Sequence, residues 1–352
     1  MCFNWRNQQH SSARDELTLD EIEKISKGFS NLFQFTVAGG EPFIRDDVAE
    51  IVRCFYTNSG ARSVTLPTNA YFSEKIEKTV RKILQQCPEC LLNVCLSLDA
   101  LGDEHDRIRQ LPGGFKALLN TYQRLKDIRE TNRNLYIKVT TVLSKFNADQ
   151  VPEIFDYVRE NLEVDDHELL LARGDTREAE ARAVPMEKYR QLLEQVEQNG
   201  ARNLEKRQYQ FSRVFYGLYK YMNRLVDEVS ATKKLVFPCL AGRRLVEIYD
   251  DGLVVPCEIL PVSADGRDLS FGNIRDHEYD INAILKTAQA KKVNEYIAGR
   301  NCCCTFECAL LTNIVFNPRA YPGLIRHMYC AHNKPPAQEE NRPKNRDHSQ
   351  AP

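Results

Sequence analysis

Short β-rich runs alternate with amphipathic helical segments through the first half of the chain, and this alternation constrains the fold more than any other feature. The runs occupy residues 32–38, 62–68, 91–98, 135–143 and 168–172. Such alternation predicts a parallel sheet with helices outside it. The run LLNVCLSL at 91–98 is nearly continuous in apolar residues, which indicates a strand that is buried on both faces. Periodicity alone does not separate a barrel wall from an open doubly wound sheet.

The rest of the chain changes character twice. Residues 176–235 are rich in Arg, Glu, Gln and Lys at helical spacing and predict one or two linking helices. Residues 236–332 contain a predicted hairpin, 245–249 with 253–255, around the turn Asp250-Asp251-Gly252. Residues 333–352 lack Leu, Ile, Val, Phe, Tyr and Trp, which predicts a disordered tail. We therefore divide the chain into segments 1–175, 176–235, 236–332 and 333–352.

Charge and cysteine content narrow the class of protein. The 48 Lys and Arg residues nearly balance the 49 Asp and Glu residues. The chain as a whole therefore has no excess positive charge that would favour binding of a nucleic acid. No apolar run approaches the roughly 18 residues that span a bilayer, and no signal-peptide core is found. We expect a cytoplasmic protein with no nucleic-acid or membrane partner. Five of the twelve cysteines fall within residues 302–330, which favours metal binding over disulfides.

Glycines and polar residues follow three of the predicted strands. Glycine lets the backbone approach a ligand closely, and ligand sites of parallel α/β folds form at the carboxyl ends of strands. The candidate cofactor-binding residues are Gly39, Gly40, Glu41, Pro42, Asn69, Ser97 and Asp99. Glu41 is suited to stabilise an ammonium group, and Arg173 after the last strand is a weaker candidate. The alternative is that these residues only form turns and cap helices.

Three segments together resemble one enzyme superfamily. Cys2 in the start MCFNW, the turn GGEP at 39–42, and the stretch from Ser97 to Phe115 are similar to the radical S-adenosylmethionine (radical SAM) enzymes. In that family three cysteines spaced C-x3-C-x2-C hold a [4Fe–4S] cluster. The resemblance makes Cys2 the third ligand, with the other two cysteines and one strand expected ahead of residue 1. It implies a partial (β/α)6 barrel whose glycine turn contacts the methionyl amine of SAM.

The spacing Cys239-x12-Gly252-x4-Cys257 resembles the opening of the SPASM/twitch module, which adds Fe–S clusters to radical SAM barrels. The resemblance implies one auxiliary [4Fe–4S] cluster, since four thiolates suffice for one. Its expected ligands are Cys239, Cys257, Cys304 and Cys308, with Cys302 the main rival of Cys304 and Cys330 a further candidate. A structural zinc ion with four thiolate ligands would satisfy the same residues. We leave Cys54, Cys87, Cys90 and Cys95 out of the site.

The resemblance implies an oxidoreductase or maturase that cleaves SAM reductively to a 5′-deoxyadenosyl radical. That radical would abstract hydrogen from a peptide or small-molecule substrate, with an electron donor of the flavodoxin or ferredoxin type. Two alternatives stay open: a catalytically inactive Fe–S scaffold and a zinc-binding scaffold protein. No residue pattern identifies the substrate or a catalytic residue.

Overall fold

A computed structural model describes residues 15–206, 212–260, 266 and 268–329, with the side chains of 202–206 excepted. The first half alternates helix and strand as predicted. Its elements are α1 (Leu19–Lys27), β1 (Phe35–Thr36), α2 (Val48–Ser59), β2 (Ser63–Thr68), α3 (Ser73–Gln86), β3 (Leu91–Ser97), α4 (Gly102–Arg109), α5 (Gly114–Thr131), β4 (Leu135–Leu143), α6 (Val151–Asn161) and β5 (Asp166–Leu171). Helix α1 begins at a capping box in which Thr18 and Glu21 exchange hydrogen bonds. Helix α4 has no counterpart among the predicted segments.

The five strands form one sheet in the order β1-β2-β3-β4-β5, and every pair is parallel. A doubly wound sheet reverses its strand order at a switch point. Strictly sequential order is that of a barrel wall, in which each crossover helix returns to the same outer face. The prediction of a parallel α/β fold with a partial barrel is therefore confirmed, and the strand order decides the question that periodicity left open.

The two faces of the sheet differ in polarity. Alternate residues of β3 such as Leu92, Val94 and Leu96 are fully buried against the outer helices. The concave face, one residue out of phase, carries polar side chains such as Asn93, Lys138 and others. A barrel interior is ordinarily filled by branched apolar residues. A polar interior is therefore available for a ligand rather than for packing.

The second half begins with two long helices and ends in a mixed region. Helices α7 (Met186–Lys206) and α8 (Ser212–Thr232) confirm the predicted linking helices. The predicted hairpin is present as β6 (Glu247–Ile248) and β7 (Leu253–Val255), and β8 (Gly272–Asn273) adds a third antiparallel strand. Four helices follow that the sequence did not reveal: α9 (Ile281–Ile284), α10 (Ala288–Ala298), α11 (Glu307–Val315) and α12 (Tyr321–Tyr329).

The apolar cores cross the predicted domain boundaries. Leu310 and Ile314 of α11 pack in the core of the sheet, while Ile51 and Phe55 of α2 pack with the Cys-rich segment. The division into segments stays a prediction.

Cys2, Cys330 and the predicted tail lie outside the described residues. Within the described part of the chain, no helix combines the length and apolar character that crossing a membrane requires.

Candidate functional site

Glu41 is the centre of a hydrogen-bond network at the carboxyl ends of β1 and β2. Its carboxylate accepts hydrogen bonds from the Thr68 hydroxyl (2.8 Å), the Asn69 N–H (2.7 Å) and the Phe43 N–H (3.3 Å). The residue is only 8% exposed. Burial raises the pKa of Glu41, while these hydrogen bonds and the charge of Arg109 oppose that rise. Three of about four lone-pair directions of the carboxylate are used, so one remains for a ligand.

The turn before Glu41 needs glycine. Gly39 has φ of +135°, and a Cβ placed on it would meet nothing within 4 Å. The open space above Gly39 is the feature that lets a ligand approach the backbone, as predicted for this turn. Pro42 follows at the first position of a short 3-10 helix, Pro42–Ile44, where its missing N–H costs nothing.

Asn69 is held both by its backbone and by its side-chain amide. Its N–H donates to Glu41, and its side-chain oxygen accepts from the Tyr71 N–H (2.9 Å). The next residue, Ala70, is fully buried at φ of +63°. This left-handed residue turns the chain sharply at the end of β2. The Asn69 amide nitrogen therefore stays at the carboxyl edge of the sheet, where the sequence placed the site.

Asp99 is held by an ion pair that the sequence analysis missed. Its carboxylate lies 2.7 Å from Nε of Arg109 and accepts from the Val142 N–H (2.8 Å), and the residue is 1% exposed. Arg109 is one-quarter exposed, and its terminal nitrogens have no hydrogen-bond partner in the described part of the chain. Asp99 thus holds Arg109 through its Nε, and no partner in the described part of the chain occupies the terminal N–H groups.

His105 and Ser97 complete the edge. The His105 ring is 1% exposed, and its Nδ1 accepts from the Asp99 N–H (3.3 Å). Burial lowers the pKa of His105 to about 4, so the ring is neutral near pH 7. Ser97 ends β3 on the concave face, and its hydroxyl has no hydrogen-bond partner among the residues described. Ser97 therefore presents a hydroxyl that a ligand could contact.

The concave face also carries a buried ionic cluster farther from these residues. Lys138 Nζ lies 3.0 Å from the Tyr219 hydroxyl and 3.8 Å from Asp166. Glu168 follows Asp166 on the same face, and burial raises its pKa to about 7. A cavity of about 80 Å³ lies beside Lys138 at the amino ends of the strands. This cavity is at the opposite end of the sheet from Glu41 and Asp99, so it is not the predicted cofactor site.

Four cysteines of the second half are neighbours. Burial raises the pKa of Cys257, and the thiolates of Cys304 and Cys239 raise it further. The same two neighbours act on Cys302, whose pKa burial raises to about 12. Cys257 and Cys302 therefore each lie within electrostatic reach of Cys239 and Cys304.

Cys308 has different surroundings from the other expected ligands. Burial raises its pKa although its side chain keeps accessible surface, which is the situation of a group lining a concavity. The nearest charges are Arg173, Glu258 and Glu307 rather than thiolates.

The donor chemistry of these thiols is that of ligands to an Fe–S cluster or zinc, and Cys239 exerts an electrostatic effect on Cys257 across the hairpin. Metal coordination also requires that the ligand side chains lie close to one another. Within the described ranges, no three His, Cys, Asp or Glu side chains are close enough to hold a metal ion. The expected ligand set stays a prediction. Cys87 and Cys90 are fully buried, and burial raises their pKa to about 11 and about 12, so both are inert thiols outside the site.

Arg173 joins the sheet to the cysteine segment. It follows β5, forms an ion pair with Glu307 at the start of α11, and lies over the Phe306 ring at 5.0 Å. Both partners are largely buried, with side chains 13% and 6% exposed. Glu168, Glu247 and Glu258 add further carboxyl groups around this pair, and burial raises the pKa of all three. The sequence suggested Arg173 only weakly and did not reveal its partner.

Comparison with known proteins gives a consistent set of relatives. Over 290 residues, or 79% of this chain and 76% of the relative, the sequence is 25% identical to an AdoMet-dependent heme synthase of Methanosarcina barkeri (strain Fusaro / DSM 804). It is 30% identical over 148 residues to a GTP 3′,8-cyclase of Marinobacter nauticus (strain ATCC 700491 / DSM 11845 / VT8), which covers 41% of each chain. No protein-family model matches.

The fold has a counterpart among solved structures. The structure of native anSMEcpe with bound AdoMet matches with a TM-score of 0.54 over 90% of this chain and 89% of that chain. At 15% sequence identity this likeness concerns the fold alone. Among the sequence relatives, the alignment to the heme synthase is long, whereas the alignment to this GTP 3′,8-cyclase covers about two-fifths of each chain.

Proposed function

Since this chain belongs to the radical SAM superfamily, we propose that it cleaves S-adenosylmethionine reductively to a 5′-deoxyadenosyl radical, which abstracts hydrogen from a peptide or small-molecule substrate. The enzyme would be an oxidoreductase or maturase working in the cytoplasm with a flavodoxin- or ferredoxin-type electron donor. The carboxyl edge of the sheet, where Glu41, Asn69, Ser97 and Asp99 lie, would hold the cofactor.

One observation carries this proposal: at the carboxyl edge, Glu41 and Arg109 each keep hydrogen-bonding capacity that no partner in the described residues uses. Glu41 keeps one unused lone-pair direction, and Arg109 keeps its terminal N–H groups. The charge of Arg109 reaches Glu41. The amino-acid end of SAM carries one ammonium and one carboxylate. Glu41 would accept from the ammonium, and Arg109, oriented by Asp99, would donate to the carboxylate.

The chain supplies two sets of thiols for metal centres. Cys2 would be one ligand of the SAM-binding [4Fe–4S] cluster. Auxiliary-cluster ligands would come from Cys239, Cys257, Cys304 and Cys308, with Cys302 and Cys330 as rivals. When bound, the first cluster supplies the electron that breaks the S–C5′ bond, and the auxiliary cluster takes an electron from the substrate or anchors it. The residues at the carboxyl edge bind, orient and shield the cofactor.

SAM-dependent formation of 5′-deoxyadenosine tests the proposal. The test compares this chain with one extended to complete the C-x3-C-x2-C spacing that ends at Cys2, both reconstituted anaerobically with iron and sulfide. We expect 5′-deoxyadenosine from the extended chain. Its absence there, despite a full complement of iron, would contradict the proposed activity.

Variants of the two charged groups test the site itself. Glu41→Gln and Arg109→Met should each raise the KM for SAM by about tenfold or more, the effect of losing one hydrogen bond to a charged group. Arg107→Met is the matched control, because Arg107 lies on the same helix, is 71% exposed and pairs with Glu104 on the surface of that helix. An equal change in all three variants would argue against the assigned roles.

Metal analysis separates this proposal from its alternatives. Roughly four irons in this chain, at about four per cluster, would support the auxiliary cluster. About one zinc per chain and no iron would instead favour a zinc-binding scaffold protein. Iron without any SAM cleavage in the extended chain would favour an inactive Fe–S scaffold.

A further inference from the structure

The cavity at the amino ends of the strands lies between helix α8 and the concave face of the sheet. Tyr219 and Asn223 line it from α8, and Asn93 and Lys138 line it from the sheet. Lys138 joins the two walls, because its Nζ donates to the Tyr219 hydroxyl (3.0 Å). The four residues along β3 from Asn93 to Ser97 correspond to about 13 Å. This cavity is therefore separate from the carboxyl edge of the sheet.

Two polar side chains of the cavity keep unused hydrogen-bonding capacity. Asn223 is only 5% exposed, yet its Oδ1 accepts no hydrogen bond from any residue that the structure describes. Lys138 carries three N–H donors, of which the Tyr219 hydroxyl takes one. The oxygen of Asp166, at 3.8 Å from Nζ, is too distant for a hydrogen bond. A molecule that donates to Asn223 and accepts from Lys138 would use both groups.

The charges around the cavity are already balanced. Each charged side chain that lines it has an oppositely charged neighbour within 3.8 Å: Lys138 with Asp166, Lys220 with Glu197, and Asp165 with Arg129. A charged ligand would have to lose its hydration and compete with one of these pairs. The cavity therefore fits an uncharged ligand better than an anion or a cation.

Aromatic rings and the available volume limit the shape of the ligand. Tyr136, Phe215, Tyr216 and Tyr219 line the cavity. Rings of this kind stack on flat heteroaromatic groups such as nucleobases. Because one buried water needs about 10–15 Å³, the volume of about 80 Å³ holds roughly six groups of that size. A single six-membered ring matches this space.

We propose that this cavity is a binding site for an uncharged six-membered nitrogen heterocycle with an N–H donor beside a carbonyl acceptor, as in a pyrimidine base. The ring N–H donates to the Asn223 amide oxygen, and the carbonyl accepts from Lys138. The faces of the ring pack against the tyrosines. The bound ring contacts both α8 and the sheet, and it lies apart from the residues proposed to hold the cofactor.

Isothermal titration calorimetry of the intact chain with uracil tests this proposal. Uridine is a second ligand, which distinguishes a free base from the base of a nucleoside. We expect saturable binding of at least one of the two. The compound 1,3-dimethyluracil keeps the ring and both carbonyls but has no N–H donor. It should bind about tenfold more weakly or worse, since the Asn223 oxygen would stay without a partner.

The variant Asn223→Leu separates binding from stability. The Asn223 oxygen has no partner among the described residues, so replacing the amide by an apolar group should leave the unfolding temperature equal or higher. Affinity for uracil should nevertheless fall by about tenfold or more. Glu228→Leu is the matched control, because Glu228 is exposed on the same helix, and it should leave the affinity unchanged.

Several results would overturn the proposal. Absence of saturable binding of uracil and of uridine would mean that the cavity holds only water. Equal affinity for 1,3-dimethyluracil, or equal affinity in Asn223→Leu, would exclude the assigned hydrogen bond. If Asn223→Leu does not fold, the comparison of uracil with 1,3-dimethyluracil on the wild type decides. None of these measurements needs S-adenosylmethionine or iron, so their outcome is independent of the test of the proposed activity.

Discussion

Removal of the Glu41 carboxylate should destabilise the folded chain, because this group joins the turn after β1 to the end of β2. Glu41→Ala deletes the acceptor of two short hydrogen bonds, from the Asn69 N–H and the Thr68 hydroxyl, and of a longer one from the Phe43 N–H. Since Glu41 is 8% exposed, water does not freely replace the lost acceptor.

The magnitude follows from these contacts. A hydrogen bond to a charged group contributes about 1.5–3 kcal/mol, so the two short bonds amount to about 4 kcal/mol. Burial raises the pKa of Glu41, which shows that the carboxylate itself is costly to bury, and deletion recovers roughly 1–2 kcal/mol of that cost. We expect Glu41→Ala to lower the free energy of unfolding by about 2–3 kcal/mol. Glu41→Gln keeps one acceptor and should lose about 1 kcal/mol.

Urea denaturation followed by circular dichroism measures these differences. Glu74→Ala is the control, because the Glu74 side chain is 88% exposed and lies 3.6 Å from Arg124, a geometry that contributes little. The control should stay within about 0.5 kcal/mol of the wild type. A value for Glu41→Ala within the same range would refute the reasoning, since it would mean that the network at the carboxyl edge does not stabilise the fold.

Two further predictions concern the same edge of the sheet. Gly39→Ala should lower the free energy of unfolding by about 1–2 kcal/mol, because the backbone at φ of +135° is strained for alanine. Gly114→Ala is the control, since Gly114 has an ordinary φ and its added Cβ would have no contact closer than 3.4 Å. Equal thermal unfolding midpoints for the two variants would contradict this prediction. For His105, burial lowers the pKa from 6.5 to about 4, so the unfolded chain takes up this proton first as the pH falls. Stability from this residue is complete above pH 6.5 and should fall by about 3 kcal/mol down to pH 4. Urea denaturation between pH 6.5 and pH 4 should show that the free energy of unfolding falls less steeply in His105→Asn than in the wild type. An equal slope in both proteins would disprove this role of His105.

Local chemistry explains which parts of the fold were predictable. The strand at Leu135–Leu143 was predicted to the residue, because its apolar period is strong and its ends are marked by polar or turn residues. Strand β1 is shorter than its apolar run, since only Phe35 and Thr36 pair with β2. The helices after β8 were not predicted, because they are short and their hydrophobic periodicity is weak. Their packing is set by contacts with the hairpin and α8.

The candidate site was predictable only in part. Gly39, Glu41, Asn69 and Asp99 could be placed at one edge because parallel strands end together. Arg109 could not, since a helix residue ten positions beyond Asp99 carries no periodic signal that it will fold back onto it. The alternation of polar residues in β4 did carry a signal for the concave face: Tyr136, Lys138 and Thr140 fall one residue out of phase with the apolar positions.

The sequence by itself determined the class of fold, the number of strands in the first half and the types of donor group, because hydrophobic period, turn residues and thiol content are properties of short segments. Only the tertiary structure decided that the strands run in sequential order, that Arg109 pairs with Asp99, and that Arg173 pairs with Glu307. These contacts join residues that are distant in the chain or lie on different elements. The energies of these contacts depend on burial and on the distance between the partners. Both are set by the complete packing of the sheet, the linking helices and the cysteine segment.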